Sequence, residues 1–549
     1  MNHEQAFLQA IREAPDDDAP RLIYADWLEE QGGSAHAARA DFIRIQCRLD
    51  ELPDDDPARD RLEDEATDLL AEHEAEWTEP LHGIAEDWRF SRGFIERIRI
   101  RGENMLVHAE RLFDFAPLRS LHLLISRNDI PHLAACPQLR WVSTLDFSRC
   151  QLNDRSLQQL LTSPYLDRLN ALNLDGNDIN TPGIRALIRS PLFTRLQCLD
   201  LSRNRALGDT VARLLAYETP TNSLEVLSLG NTNVTTDGVF DLLGSTSLSC
   251  LVDLNVSGPR RLTGHRGRDQ LPGHPVLFRL RCLNLNEFPF AIGLLNCLPL
   301  LTSMKLQSLS LRSTAAETRD VKLLGRSACL TSLTSLDLRS NRLGAEGIQI
   351  IADSPHLRSL TRLDVGYNNI RDSGAKFIAE SPHMTRLRVL DLAGNSIGGP
   401  GLKALAESAN LDLLGTLNLA GNFIGADSVR ALAESAHLQT LTCLDLSDAF
   451  LEEDSARILA SSSNLTRLTT LLLKKNLLGD GGAKALAQSP HLTRLSTLDL
   501  NDNRIGKAGA EALATASWRR MRNLDLRGNV FTDTQETLLR KRFGNTVQL

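Results

Sequence analysis

Residues 333–357, 360–384 and 387–411 read LTSLDLRSNRLGAEGIQIIADSPHL, LTRLDVGYNNIRDSGAKFIAESPHM and LRVLDLAGNSIGGPGLKALAESANL, three versions of one phrase. The spacing of Asn341, Asn368, Asn395 and Asn422 sets a period of 27 residues. In each phrase the L-x-L alternation puts leucines on one side of a short strand. The stretch that follows, as at 401–408, spaces Leu and Ala for one face of a helix. A unit this small cannot bury its apolar side alone, so units must stack, each touching only its neighbours.

The pattern L-x-x-L-x-L-x-x-N resembles the leucine-rich repeat, and a period of 27 to 28 resembles its ribonuclease-inhibitor-like subfamily. The same scaffold serves the GTPase activator of Ran and the sensor halves of nucleotide-binding immune receptors. The resemblance implies an α/β solenoid, a horseshoe with parallel strands inside and helices outside, and a role in binding rather than catalysis. Seventeen strand cores are predicted, from 92–100 to 524–526. The solenoid is expected over 91–530. An amphipathic tail at 531–549 is expected to cap its open apolar end.

Ahead of the repeats, helices are predicted at 4–13, 20–31, 35–52 and 57–77, punctuated by Pro15-Asp16-Asp17-Asp18, Gly32-Gly33 and Pro53-Asp54-Asp55-Asp56. The sequence PRLIYADWLEE at 20–30, followed by ADFIRIQC at 40–47, resembles the short repeat-companion domain of planctomycete-type bacteria. That resemblance implies a bacterial source and a small all-helical domain at 1–90, and carries no established activity. Residues 1–90 hold 25 acidic against 8 basic side chains, whereas the remainder has 53 basic against 44 acidic. An acidic head therefore precedes a mildly basic array.

With 42% hydrophobic and 24% charged residues, the composition is that of an ordinary globular protein. The longest apolar run, 290–301, is interrupted by Gly293, Asn296 and Pro299, so no membrane span is expected. Nine scattered cysteines without C-x-x-C pairs and an acidic start point to a cytoplasmic protein with reduced thiols. Cys198, Cys282 and Cys443 share one strand position, and Cys150 stands where other repeats carry Asn.

The array is uneven. The ladder position holds Asn177 and Asn204, then Thr232, Pro259, Phe288 and Thr314 before Asn341. Buried Asn side chains satisfy backbone groups, so these replacements predict local irregularity. The Gly/Pro-rich basic segment 258–275 is expected to be a loop or insertion.

No phosphate-loop, zinc-protease, nucleophile-elbow or calcium-loop motif occurs, and we expect no catalytic, cofactor-binding or metal-binding residues. His356, His383, His437 and His491 recur in S-P-H or S-A-H and read as turn residues. The residue between the last two leucines of each strand should face the concave side, with neighbours ~4.8 Å apart. There Asp337, Asp364 and Asp391 form the densest acidic row, flanked by Arg312, Arg339 and Lys474. With Tyr367 these are the candidate partner-binding residues, Arg and aromatic side chains being frequent interface anchors. A second candidate is the basic segment with Arg260, Arg261, Arg266 and Arg268, where the lack of aromatic interleaving disfavours nucleic acid. The expected function is a protein–protein interaction scaffold with a protein partner. The alternative is an enzyme regulator, an inhibitor or a GTPase activator supplying Arg149 or Arg203 in trans.

Overall fold

A computed structural model describes residues 3–53, 56, 58–220, 223–258, 275–288 and 304–549. The chain forms two compact units, Met1–Asn255 and Val256–Leu549. Among the described residues, no helix is long and apolar enough to cross a membrane.

The first unit opens with four helices, α1 (His3–Glu13), α2 (Ala19–Gln31), α3 (Ser34–Glu51) and α4 (Arg59–Trp77). Strand β1 (Ala85–Ser91) then pairs antiparallel with β2 (Phe94–Arg101) across the turn at Arg92 and Gly93. The sequence had not predicted β1. It carries three charges among seven residues and only Trp88 and Phe90 as large apolar groups, so its pairing with β2 makes it a strand. Gly93 is required at the turn: its φ is +84°, and a Cβ would lie 2.5 Å from Ile43.

The head is fastened to these strands by apolar contact and by charge. Leu8, Ile11, Tyr24, Ala25, Leu28, Ala40, Ile43 and Cys47 share one core with Phe94 of β2. Beneath it the fully buried Arg21 pairs with Glu96 at 2.5 Å, while Arg92 reaches Asp18 at 3.1 Å and Arg119 reaches Asp16 at 2.9 Å. The charge asymmetry of the sequence is thus partly spent inside this unit, acidic loop against basic first strands.

Parallel strands continue as β3 (Ser120–Leu124), β4 (Thr144–Asp146), β5 (Ala171–Asn173), β6 (Cys198–Asp200), β7 (Val226–Ser228) and β8 (Asp253–Asn255). The second unit carries β9 (Cys282–Asn284), β10 (Ser308–Ser310), β11 (Ser335–Asp337), β12 (Arg362–Asp364), β13 (Val389–Asp391) and β14 (Thr416–Asn418). It ends with β15 (Cys443–Asp445), β16 (Thr470–Leu472), β17 (Thr497–Asp499), β18 (Asn523–Asp525) and β19 (Val547–Gln548). From β2 to β18 these are the seventeen predicted strand cores. The two-residue β19, too short for any sequence period, pairs with β18 after helix Asp533–Phe543.

Strict register stacks the central leucines, such as Leu336, Leu363, Leu390 and Leu417, into a fully buried row. Helices such as Gly344–Ala352, Arg371–Glu380 and Gly399–Ala406 cover the other side of that core. A side-chain ladder pins each turn to the next. Asn395 Nδ2 donates to the carbonyls of Val365 and Leu392 at 2.9 and 3.0 Å, and its Oδ1 accepts from the amides of Asn368 and Ile370. Asn341, Asn368, Asn422, Asn476 and Asn503 are buried in equivalent places.

At Thr232 and Thr314 the expected irregularity is milder than the replacements suggest. Thr232 Oγ1 and Thr314 Oγ1 donate to the carbonyls of Leu229 and Leu311 at 2.7 and 2.9 Å, doing part of the asparagine's work, and the adjoining strands stay in register. Cys150 Sγ likewise reaches the Leu123 carbonyl at 2.9 Å. Pro259 lies outside the described residues, as does most of the predicted 258–275 loop, including Arg260, Arg261, Arg266 and Arg268.

The recurrent S-P-H phrase proves to be about its serine. Ser381, Ser408, Ser435, Ser462 and Ser489 each donate through Oγ to a carbonyl one repeat earlier at 2.5–2.6 Å, a second buried ladder at the helix ends. The amides of His383, His437 and His491 donate back to these hydroxyls. The histidines are therefore turn residues whose backbone, not ring, recurs.

Candidate functional site on the strand face

The Asp column has a structural cause before any functional one. Along β11 to β14 the Asp or Asn at the strand's last position accepts, through Oδ1, the amide two residues on: Arg339 to Asp337 at 3.0 Å, Gly366 to Asp364 and Ala393 to Asp391 at 2.9 Å, and Ala420 to Asn418 at 3.0 Å. This closes the turn out of the strand, and it needs an amide or carboxylate oxygen, not a charge. What Asn cannot supply is the negative charge.

Three such charges are consecutive, because β11, β12 and β13 pair Asp337 with Asp364 and Asp364 with Asp391. Two arginines from the neighbouring column knit them together. Arg312 Nη2 lies 3.3 Å from both Asp337 Oδ2 and Asp364 Oδ2. Arg339 Nη1 lies 3.6 Å from Asp364 Oδ1 and 3.1 Å from Asp391 Oδ2. Asn418 adds a hydrogen bond to Asp391 Oδ2 at 2.7 Å. Three carboxylates thus share two guanidinium groups, and the middle one feels the deficit. Burial, then the Asp391 charge, pushes the Asp364 carboxyl up to about 6, against the opposing pull of the Gly366 amide and Arg339.

Tyr367 joins this group from the loop after β12. The residue is 53% exposed, and the Arg339 guanidinium stacks 4.6 Å from the ring centroid. Two glycines make room for the stack. A Cβ on Gly394 (φ +62°) would meet the Tyr367 ring at 2.6 Å, and one on Gly366 would meet Arg339 Nη1 at 2.7 Å. Around the cluster, strands β10 to β16 line a depression of about 450 Å³.

Of the predicted residues, the structure therefore brings together Arg312, Asp337, Arg339, Asp364, Tyr367 and Asp391. Lys474 stands apart on the loop after β16, where its charge acts on Asp499 and Asp525. Arg203, a candidate finger, is engaged by Asp175 through two nitrogens, one at 2.7 Å. Arg149, with φ +58°, has its Cγ 3.1 Å from where Gly176 would carry a Cβ.

The sequence reading missed an aromatic pair. Phe423 and Phe450, 60% and 63% exposed, stack with centroids 6.0 Å apart and planes 20° from parallel, and Leu477 follows in the next repeat. The signal lay in the position after the ladder residue, which carries a large apolar side chain in these three consecutive repeats and again at Val530, against Arg342, Asn369, Ser396 and Arg504 in others.

Five stretches match the family model described as Leucine Rich repeat: residues 169–187, 329–352, 356–379, 383–406 and 488–514. No curated protein matches the chain. Among solved structures, an internalin of Listeria monocytogenes is 18% identical over 77% of this chain and 94% of its own, with a TM-score of 0.32. A leucine-rich repeat protein of Leptospira interrogans is 19% identical over 75% and 91%, with a TM-score of 0.34. Scores this low carry no weight, and it is the five matched stretches, with the register and the asparagine ladder, that identify leucine-rich repeats within the chain.

Proposed function

We propose that the chain is a non-catalytic interaction scaffold that receives a basic segment of a protein partner on the strand face of Val256–Leu549. The observation that carries this reading is the shortage of cation at Asp337, Asp364 and Asp391. Two arginines serve three carboxylates, and the central one is pushed up to about 6. An incoming Lys or Arg would relieve that deficit, while exposed Tyr367, held by Arg339, offers an aromatic anchor beside it. The Phe423–Phe450 pair would extend the contact with apolar area.

Residues 1–90 are read as a companion-type acidic head and N-terminal cap, 91–530 as a ribonuclease-inhibitor-like array and 531–549 as its C-terminal cap, in a bacterial cytoplasmic protein. The free thiols of all eight described cysteines agree with a reducing compartment. A GTPase-activating role loses support at Arg203, since a guanidinium already paired with Asp175 must break that pair to act on a nucleotide.

The test is selection of displayed random peptides on the full chain. Lys- or Arg-bearing peptides should be enriched, weaken at high salt, and lose binding to the Asp364→Asn/Asp391→Asn and Tyr367→Ala variants. Enriched peptides without basic residues, or with affinity untouched by these variants, refute the site.

A further inference from the structure

The first unit holds a depression of about 350 Å³ between the head helices and the chain after β2, walled in part by Trp27, Trp77, Phe94 and Phe115. That volume lies at the lower end of small-ligand pockets, about 300–1,000 Å³. Arg39 lines it. The guanidinium centre sits 4.7 Å from the Trp77 ring, 5.4 Å from Phe90 and 5.7 Å from each of Phe42 and Phe94.

What sets Arg39 apart is how little it bonds. Arg21, fully buried in this head, leaves only its Nε without a partner and donates to Glu96 at 2.5 Å and to the Asp17 carbonyl at 2.8 Å. Arg39 Nη1 is shielded from solvent with no hydrogen-bond partner, although five N–H donors in a fixed fork suit a carboxylate. Burial lowers the guanidinium to about 10, which leaves it charged at neutral pH. Aromatic faces surround the charge, the Glu4 carboxylate acts on it from a distance, and no described carboxylate lies within ion-pair distance of it.

The same depression is edged by carboxylates. Glu76 and Glu79 are exposed lining residues, and Glu4, whose Oε1 accepts from Tyr24 Oη at 2.9 Å, is a third. A plain anion must pass these three charges to reach Arg39. A plain cation must settle beside a guanidinium that already occupies the aromatic faces. Only a ligand carrying both signs meets the floor and the edge together.

We propose that this depression binds a small zwitterion of the α-amino-acid class, its carboxylate on Arg39, its ammonium toward Glu4, Glu76 and Glu79, and an apolar or aromatic side chain against Trp27 and Trp77. The volume suits one such residue or a dipeptide. The site is separate from the strand-face cluster of the second unit, so each stands or falls alone.

The test titrates the full chain with L-phenylalanine, 3-phenylpropionate and phenethylamine. Two of the five tryptophans line the depression, so their fluorescence reports occupancy, with calorimetry as the second readout. Phenylalanine should bind saturably and at least about tenfold more tightly than either single-charge probe, a margin expected of one desolvated charge pair. Arg39→Gln should remove that binding, and Glu76→Gln/Glu79→Gln should narrow the gap between phenylalanine and phenylpropionate. Should Arg39→Gln fail to fold, the probe ranking on the unaltered chain decides. Absence of saturable binding up to tens of millimolar, or tightest binding by phenethylamine or phenylpropionate, overturns the proposal.

Discussion

Asp364 separates the structural from the electrostatic part of the strand-face column. Asp364→Asn keeps an Oδ1 for the Gly366 amide, 2.9 Å away, and removes only the charge. The folded carboxyl is pushed up to about 6, burial first and Asp391 second, so burial and neighbouring carboxylates outweigh Arg312 and Arg339. Relative to an unfolded aspartate near 3.9, the rise is roughly two pH units, or about 3 kcal/mol; partial exposure and screening reduce this to about 1–2 kcal/mol. Because the folded value lies above the unfolded one, the proton favours the folded state. The stabilisation is complete below about pH 4 and is lost as pH rises through about 6. Asp364→Asn should therefore raise stability at pH 7.5, while each arginine keeps one partner, Asp337 or Asp391. At pH 4 most of the gain should vanish. Thermal melts at the two pH values, with hydrogen exchange of a peptide covering 360–370, provide the measurement. Asp364→Ala is the control: without an acceptor for the Gly366 amide it should fall about 1 kcal/mol below Asn at either pH. A gain equal at both pH values, or none at pH 7.5, refutes the electrostatic reading.

Three further outcomes are expected. Asn395→Ala strips partners from the amides of Asn368 and Ile370 and the carbonyls of Val365 and Leu392, so stability should drop by about 3–5 kcal/mol in denaturant titrations, with exchange rising first around 365–397. Gly394→Ala and Gly421→Ala share similar φ values of +62° and +66°, a strain of about 1–2 kcal/mol, yet only the former drives a Cβ into Tyr367; its melting temperature should fall further, and equal losses would mean the ring moves freely. Glu96→Gln leaves Arg21 buried without its counter-charge and weakens the hold on Arg92 and Arg119, costing about 3 kcal/mol. Limited proteolysis should then cut the head loops around 14–18 sooner, and unchanged cleavage would mean the ion cluster does not secure the head.

Much of the fold was legible because a repeat writes the same physics many times. Leu336, Leu363 and Leu390 recur at one spacing, and a one-residue slip of register would turn such a leucine to the opposite face of the sheet. The acidic row was legible for the same reason: equal periods put Asp337, Asp364 and Asp391 opposite one another. The serine ladder was in plain view as S-P-H, but the histidine drew the eye because ring chemistry is rarer than a hydroxyl at a helix end. Phe423 and Phe450 were passed over because a single exposed aromatic is ordinary; their meaning comes from stacking across adjacent repeats.

By itself, the sequence determined the period, the strand positions of the repeats and the columns, since each depends on neighbours 27 residues away that carry the same residue types. Only the tertiary structure decided how Arg312 and Arg339 divide themselves among three carboxylates, why Arg203 is engaged, and that Arg39 lies among four rings without a hydrogen bond at Nη1. These depend on side-chain directions and on desolvation, which vary with packing over a few ångströms. A one-dimensional pattern fixes which residues meet, and the dielectric and geometry around them fix what the meeting is worth.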